Sequence, residues 1–441
     1  MHSLREIQLL CNKQFKLNFN GGELSSDGGL LMIKEFLSVL GIESLIKGTF
    51  KTNDDATFRV HKDHDNLLQM IYQIFGTYYE DNCADELRND PVMSAILGKE
   101  ALASQPTISR FFNRMDDSTL RQFDTMMREL RKKVYSIKMP EYVLFDIDTT
   151  LLPTYGKQEG EGFNYHYQAH GYHPTLCFDG LTGDLLRAVL RDGTDYCSKD
   201  SAKFMEPLIS EYRRNYPSIQ LYARGDSGFA TPELYDLFED NEVKYAIRLK
   251  INKTLTELAK EKTDALMTVA KLNAVDYAVT YGEFMYKAGS WRSERRVVFK
   301  IEKPANQFTF MYTFIVTNME MEPYQVISYY CNRGRMENFI GECKEGFDFA
   351  SVSSKSKVVN ANRLQLHTLV YNIFNLFRRL VLPEQMSKHL IDTVRLKLLK
   401  IATKVVHSGR YIRFNLCSSC PYKDDVFQIF KNIWQLKVQL E

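Results

Sequence analysis

No stretch of the 441-residue chain approaches 18 consecutive apolar residues, so a membrane-spanning helix is not expected. There is no internal repeat and no low-complexity tract, which removes repeat arrays and linker-like chains from consideration. The formal net charge is only +2, so no overall basicity advertises a nucleic-acid partner. Cysteine is sparse and scattered: of eight, only Cys417-Ser-Ser-Cys420 is closely spaced, and one CxxC without a second pair or a nearby His is a weak zinc signature. No charged-then-apolar signal segment opens the chain, and a reducing, cytoplasmic compartment is the expectation. What is present is ordinary for a globular protein, 44% hydrophobic and 25% charged, with length for two or three domains and a substantial core.

Charge distribution says more than its sum. Between Ser351 and Asn415 twelve Lys or Arg face two acids, Glu384 and Asp392, a local balance of 12 − 2 = +10. Such a segment is either a solvated helical face or a surface for phosphate backbones. The first 135 residues read as mostly helical, with apolar periodicity in "GGLLMIKEFLSVLG", "DNLLQMIYQIFGTYY" and "STLRQFDTMMRELRKKV". In "LASQPTISRFFNR", Pro106 sits in a first helical turn after Ser104, and Ile108, Phe111 and Phe112 follow at helical spacing. Arg110 and Arg114 then lie on the exposed side, which suits a helix-turn-helix meeting DNA, or simply a packed surface helix.

From Glu141 the texture changes. "YVLFDIDTTLL" is a β-rich run, "PTLCFDGLTGDLLRAVLRDG" resembles a hairpin, and "IQLYARGD" is a further strand before a helix with Thr231 as N-cap and Pro232 at its first position. This is a mixed α/β core. Residues from about Tyr245 to Met321 are strand-rich, enough for a β subdomain of their own, and helices resume at Tyr324 and dominate to the C-terminus.

Three places hold carboxylates suited to chemistry. Asp146 and Asp148 lie two apart on the first β run and share a face, where carboxylates are costly unless paired or metal-bound. Asp226, in "RGDSGF", stands at a strand end beside glycines, a position suited to ligand groups or to an ordinary Asp-Ser-Gly turn. The third is in "YYCNRGRMENFIGECKEGF". Read as one helix at 100° per residue, Tyr330, Arg333, Glu337 and Lys344 fall in a stripe about 60° wide beside an apolar face, with Glu342 and Glu345 turned to solvent. An Arg333–Glu337 surface pair explains two of the four. Three dispersed carboxylates without a His cluster suit Mg²⁺ or Mn²⁺, and two such ions roughly 3.5–4 Å apart drive in-line phosphoryl displacement. His166 and His170 have i, i+4 spacing, but Gly171 and Pro174 disfavour a helix, so with His173 they read as loop or strand-edge residues rather than a zinc site.

Tyr330-x-x-Arg333-x-x-x-Glu337-x-x-x-x-x-x-Lys344 matches the signature of bacterial insertion-sequence DDE transposases. "DIDTT" and "RGDSGF" resemble their first and second aspartate motifs, and "FNGGELSSDGGLLMIKEF" with "LASQPTISRFFNR" resembles the opening of the IS-thirteen-eighty family, DDE group 1. The resemblance implies an α/β, ribonuclease-H-like catalytic core (136–244 and 323–382), interrupted by a β-rich insertion (245–322). A helical DNA-binding region (1–135) precedes it and a basic, mostly helical region (383–441) follows. It implies Asp148, Asp226 and Glu337 as the triad holding Mg²⁺ or Mn²⁺, with Asp146 a further candidate ligand, and Tyr330, Arg333 and Lys344 as DNA contacts near the cleaved end. Trp291, with Arg295 and Arg296 close by, would stack on a displaced base, or else be a core Trp of the insertion. The implied partners are transposon terminal inverted repeats and target DNA, engaged by a homodimer at the bacterial nucleoid.

Overall fold

Eight strands form one mixed sheet in the computed structural model, which describes residues 6–54, 56, 58–272, 277–305, 307 and 309–440. They are β1 (Tyr142–Thr149), β2 (Thr175–Asp179), β3 (Leu185–Val189), β4 (Gln220–Gly225), β5 (Lys244–Leu249), β6 (Ala278–Tyr286), β7 (Arg295–Lys303) and β8 (Met311–Thr317). Their spatial order is β6-β7-β8-β5-β4-β1-β2-β3. β1 runs antiparallel to β2, and β2 to β3, while β1, β4 and β5 are parallel. The sheet belongs to one of two compact units, made of Lys138–Lys344 and Phe349–Leu364; the other comprises Met1–Ile137, Glu345–Asp348 and Gln365–Glu441.

Five consecutive residues of β1, Val143 to Ile147, are buried because both faces of the sheet are covered. Period-two alternation sorts them. Phe145 meets Tyr212 of the helix Ser201–Asn215 edge-on at 5.5 Å between ring centroids, and Tyr245 of β5 stacks on Tyr235 of the helix Pro232–Asp240 at 5.6 Å. On the opposite face Ala246, Val298 and Ile315 pack with Val326 and Ile327 of the helix Pro323–Cys331. Phe178, opposite Asp146 in the β1–β2 register, meets Phe339 of the helix Arg335–Phe347 at 5.8 Å. Asp146 and Asp148 therefore point at the face closed by the Tyr330–Lys344 stretch.

The expected hairpin is β2–β3, and the helix after β4 starts at Pro232 with Thr231 as N-cap. The strand-rich stretch after Tyr245 does not stand as a sheet of its own. β8 pairs with β5, from Ala246 opposite Thr317 to Leu249 opposite Phe314, so β6–β8 extend the core sheet. Phe314 to Thr317 are all buried, and a strand apolar on both faces needs neighbours on both edges. The C-terminal region, expected to be mostly helical, also holds strands. It contains an antiparallel hairpin, β9 (Thr403–His407) and β10 (Ile412–Leu416), before the helix Lys423–Leu440.

In the second unit the helices anticipated from periodicity are present as Leu30–Val39, Asp63–Phe75, Gln105–Asn113 and Asp117–Ile137. The "SSDGGLL" stretch has a local role. The Gly28 and Gly29 N–H groups donate to Ile401 O (3.0 Å) and Leu399 O (3.1 Å), and a Cβ on Gly29 would overlap the Leu398 carbonyl. Gly48, in the helix Ile42–Thr49, has open space where a Cβ would sit. Gly29→Ala is expected to destabilise the protein by about 2 kcal/mol or more, and Gly48→Ala to stabilise it by about 0.5–1 kcal/mol. Urea denaturation measures both; equal effects would mean that the Gly29 contact is not a packing constraint.

Candidate active site

Asp146 is fully buried, and its carboxylate is gripped by Arg224 from the adjacent strand β4. Arg224 Nε donates to Oδ1 at 2.7 Å and Nη2 to Oδ2 at 2.6 Å, while Nη1 donates to the Tyr329 carbonyl at 2.6 Å. The two residues face each other in the parallel register. Both carboxylate oxygens of Asp146, the further candidate ligand, are bonded to Arg224 inside the core, where the pair holds two strands and the following helix together.

Asp148, one pleat further on, opens toward a cleft. The register that sets Gly225 opposite Ile147 brings Asp226, the next residue, beside Asp148 at the C-terminal ends of neighbouring parallel strands about 4.8 Å apart. Asp226 Oδ1 accepts the Gly228 N–H at 2.9 Å, as in the Asp-Ser-Gly turn, so the turn and a functional position coexist. Arg333 Nη2 reaches Asp148 Oδ2 at 2.9 Å and also donates to the Ile147 carbonyl at 3.0 Å. Burial pushes the Asp148 carboxyl above the ordinary carboxylate range; Arg333 pulls it back, and the charges of Asp226 and Glu337 push it further up.

Tyr330, Arg333 and Glu337 are not on one uninterrupted α-helix. The helix Pro323–Cys331 tightens into a 3-10 turn over Asn332–Gly334 before Arg335–Phe347 begins. A 3-10 turn advances each residue by about 120° rather than 100°, rotating the residues after it relative to Tyr330. Tyr330 nonetheless lies within the field of Arg333, Asp226 and Asp148, and burial raises its phenol pKa. Glu337 is exposed and within the field of Asp148. Lys344 is half-buried, with burial lowering its pKa and no ion-pair partner among the described residues. Glu342, expected on the solvent side, is buried instead: the covered arc of the helix is wider than its apolar residues and takes in the edge away from Glu337.

The cleft, of roughly 320 Å³, is lined by Asp148, Asp226, Tyr167, His173, Tyr196 and Lys250 among others. Tyr167 Oη donates to the Thr149 carbonyl at 3.2 Å, His173 Nδ1 lies 2.7 Å from the Asp195 carbonyl, and Lys250 Nζ donates to Tyr196 Oη at 2.7 Å. His166 also lines it, whereas His170 pairs with Glu161. Lys250 was missed in the sequence. Its signal was available: it follows the last residue of β5, a parallel strand next to the one that ends just before Asp226. Among the described residues no three His, Cys, Asp or Glu side chains already converge as a metal cluster, at the cleft or at Cys417 and Cys420. The donor set of Asp148, Asp226 and Glu337 is all-oxygen, and a hard cation would offset both the burial of Asp148 and its smaller repulsion from the other two acids, so these residues fit a divalent ion.

Other predicted DNA contacts are committed elsewhere. Trp291 is buried, edge-on to Tyr235 and Tyr286 at 5.4 and 5.3 Å, which is the core-Trp alternative and not a base-stacking surface. Arg295 is buried and bound to Asp236 and Glu239, at 2.5 and 2.7 Å. Arg296 pairs with Glu283, and the surrounding surface adds Glu294, Glu320 and Glu322, a poor setting for phosphates. In the other unit Arg114 binds Asp63 at 3.0 Å and Thr52 at 3.2 Å; Arg110 alone of that pair is exposed.

The buried pair yields a measurable expectation. Arg224→Leu leaves Asp146 uncompensated and should cost about 3–5 kcal/mol, while Asp146→Leu/Arg224→Leu recovers most of that loss. Denaturation of both variants checks it; a single-variant cost under about 1 kcal/mol would return Asp146 to the candidates for chemistry.

A family model described as transposase DDE domain group 1 matches residues 7–438. No curated protein matches the sequence. The cryo-EM structure of a piggyBac transposase synaptic complex with hairpin DNA is similar at a TM-score of 0.41 and 14% identity, over 85% of this chain and 80% of that one. By the match along nearly its whole length, the chain belongs to the DDE transposase domain group 1 family and is a DDE transposase.

Proposed function

We propose that this enzyme binds the terminal inverted repeats of a bacterial insertion sequence of the IS-thirteen-eighty type, cleaves at the ends and joins the 3′-hydroxyls to target DNA. The observation that carries the reading is the meeting of Asp148 and Asp226 at adjacent parallel strand ends in one cleft, with Arg333 of the following 3-10 turn paired to Asp148 and Glu337 on the helix after it. The strand order β3-β2-β1-β4-β5, three antiparallel then two parallel, supports a ribonuclease-H-like core.

DDE transposases generally use divalent metal ions. Asp148, Asp226 and Glu337 are the residues that would hold Mg²⁺ or Mn²⁺ here, and such ions, when bound, activate an attacking oxygen and stabilise a leaving one. Arg333 acts on the acids themselves. It pairs with Asp148 through one nitrogen, and on this reading its guanidinium turns to a phosphate when a substrate enters. Tyr330, half-buried beside it, limits water at the same edge, and Lys344 supplies an unpaired ammonium on the Glu337 side of the helix. Two ends must be cut and joined together, so the working species is a homodimer on DNA, at the nucleoid.

Asp148→Asn, Asp226→Asn and Glu337→Gln are each expected to reduce Mg²⁺-dependent cleavage of an end duplex on the order of 10³-fold, with the fold retained. Strand transfer with pre-cleaved ends is the decisive assay. Hydrolysis without joined product would make the enzyme a nuclease, and full activity in Glu337→Gln would remove Glu337 from the triad.

A further inference from the structure

The hairpin β9–β10 has no assigned role, and its two faces differ sharply. Thr403 and Val405 are buried, with Phe414 and Leu416 half-buried beside them, and Thr403 pairs with Ser25 in the short strand Leu24–Ser25. The opposite face presents Lys404 across from Asn415 and Val406 across from Arg413, all exposed. Beyond Val406 even the inward positions His407 and Ile412 are exposed, so the tip extends past the surface that covers its base. The four-residue turn is held by the Ser408 N–H donating to the Tyr411 carbonyl at 2.9 Å, and Arg410 and Tyr411 stand exposed on it.

Charge decides what such an arm can meet. From Ile401 to Lys423 the sequence holds Lys404, Arg410, Arg413 and Lys423 and no Asp or Glu. Lys404, Arg410 and Arg413 enter no ion pair among the described residues; the nearby Glu23 pairs with His407, at 3.4 Å. This is the reverse of Arg114, Arg295 and Arg296, each held by carboxylates. Two strands about 4.8 Å apart fit the major groove, about 12 Å wide, which admits a two-stranded ribbon. Arg413 and Asn415, on adjoining outward positions, are the side-chain types that read guanine and adenine edges bidentately, while Lys404 and Arg410 suit phosphates.

We infer that the β9–β10 ribbon is a major-groove reader of duplex DNA, with Arg413 and Asn415 contacting bases and Lys404 and Arg410 contacting the backbone. This rests on the transposase reading and deepens it, placing end recognition on the ribbon rather than on the Gln105–Asn113 helix.

The test uses the full 441-residue chain and a duplex carrying any inverted repeat found beside its coding sequence, with fluorescence anisotropy from about 50 to 300 mM salt. Lys404→Ala/Arg410→Ala should weaken binding roughly tenfold or more and reduce the salt slope by about 2, similarly for the repeat and a scrambled duplex. Asn415→Ala should reduce the preference for the repeat over the scrambled duplex. Thermal unfolding should be unchanged in every variant, since these side chains are exposed. Wild-type binding that all variants keep, with the same slope and preference, overturns the ribbon assignment and leaves the transposase reading standing. Wild-type protein that neither prefers nor cleaves the repeat overturns the transposase reading and the ribbon with it.

Discussion

The arrangement of the candidate catalytic face depends on one buried ion pair. An aspartate inside an apolar strand is tolerable only with its charge answered, and Arg224 answers it with two parallel hydrogen bonds from the next strand. The third arm of the same guanidinium takes the Tyr329 carbonyl, at the end of the helix that leads into the 3-10 turn. β1, β4 and the segment carrying Arg333 are thus tied at a single point. One pleat beyond that point lies Asp148, and one register step across lies Asp226. Asp146 resembles Asp148 in sequence because it obeys the same face rule, and it differs in being fully buried with a bidentate arginine partner.

The acids that remain open are held in tension. Asp148 sits under burial and beside two like charges, with Arg333 offsetting part of the cost. A fully compensated cluster would be stable and inert; an uncompensated one would take up protons rather than a cation. Arg333 lies between these limits, since it contacts Asp148 through one nitrogen and the Ile147 carbonyl through the same one. Its hold on the acid is monodentate and replaceable, unlike the bidentate grip of Arg224 on Asp146.

The elements around the cleft were legible in the sequence because each has a local cause: alternating and continuous apolar runs for strands, Thr231-Pro232 for a helix start, glycines on either side of Asp226 for a turn. The order of the three acids and the Tyr330–Lys344 spacing pointed to the family for the same reason, being patterns along the chain. What was not legible depended on partners distant in sequence. Nothing near Trp291 reveals that Tyr235 and Tyr286 enclose it, and nothing near Arg295 reveals Asp236 and Glu239. The joining of β6–β8 to the core sheet is set by the β5–β8 register, across some 70 residues. The 3-10 turn at Asn332–Gly334 escaped a uniform 100° reading, although Asn332 and Gly334 are weak helix formers. The β9–β10 hairpin was readable, since "TKVVH" and "IRFNL" flank a Ser-Gly turn, but the helices on both sides set a misleading expectation.

Counting cations therefore says little about where this chain meets phosphate; what each cation faces decides it. The stretch around Arg295 and Arg296 is rich in arginine and richer in glutamate, and its charges close on one another. Pairing of that kind favours the fold locally and cancels the long-range field that steers an anionic duplex. The ribbon has fewer cations but no acid of its own over more than twenty residues, so its field reaches solvent. A near-neutral total charge is the sum of these two habits. It is compatible with a DNA enzyme because a sum near zero can hide one segment whose cations close on acids and another whose cations face none.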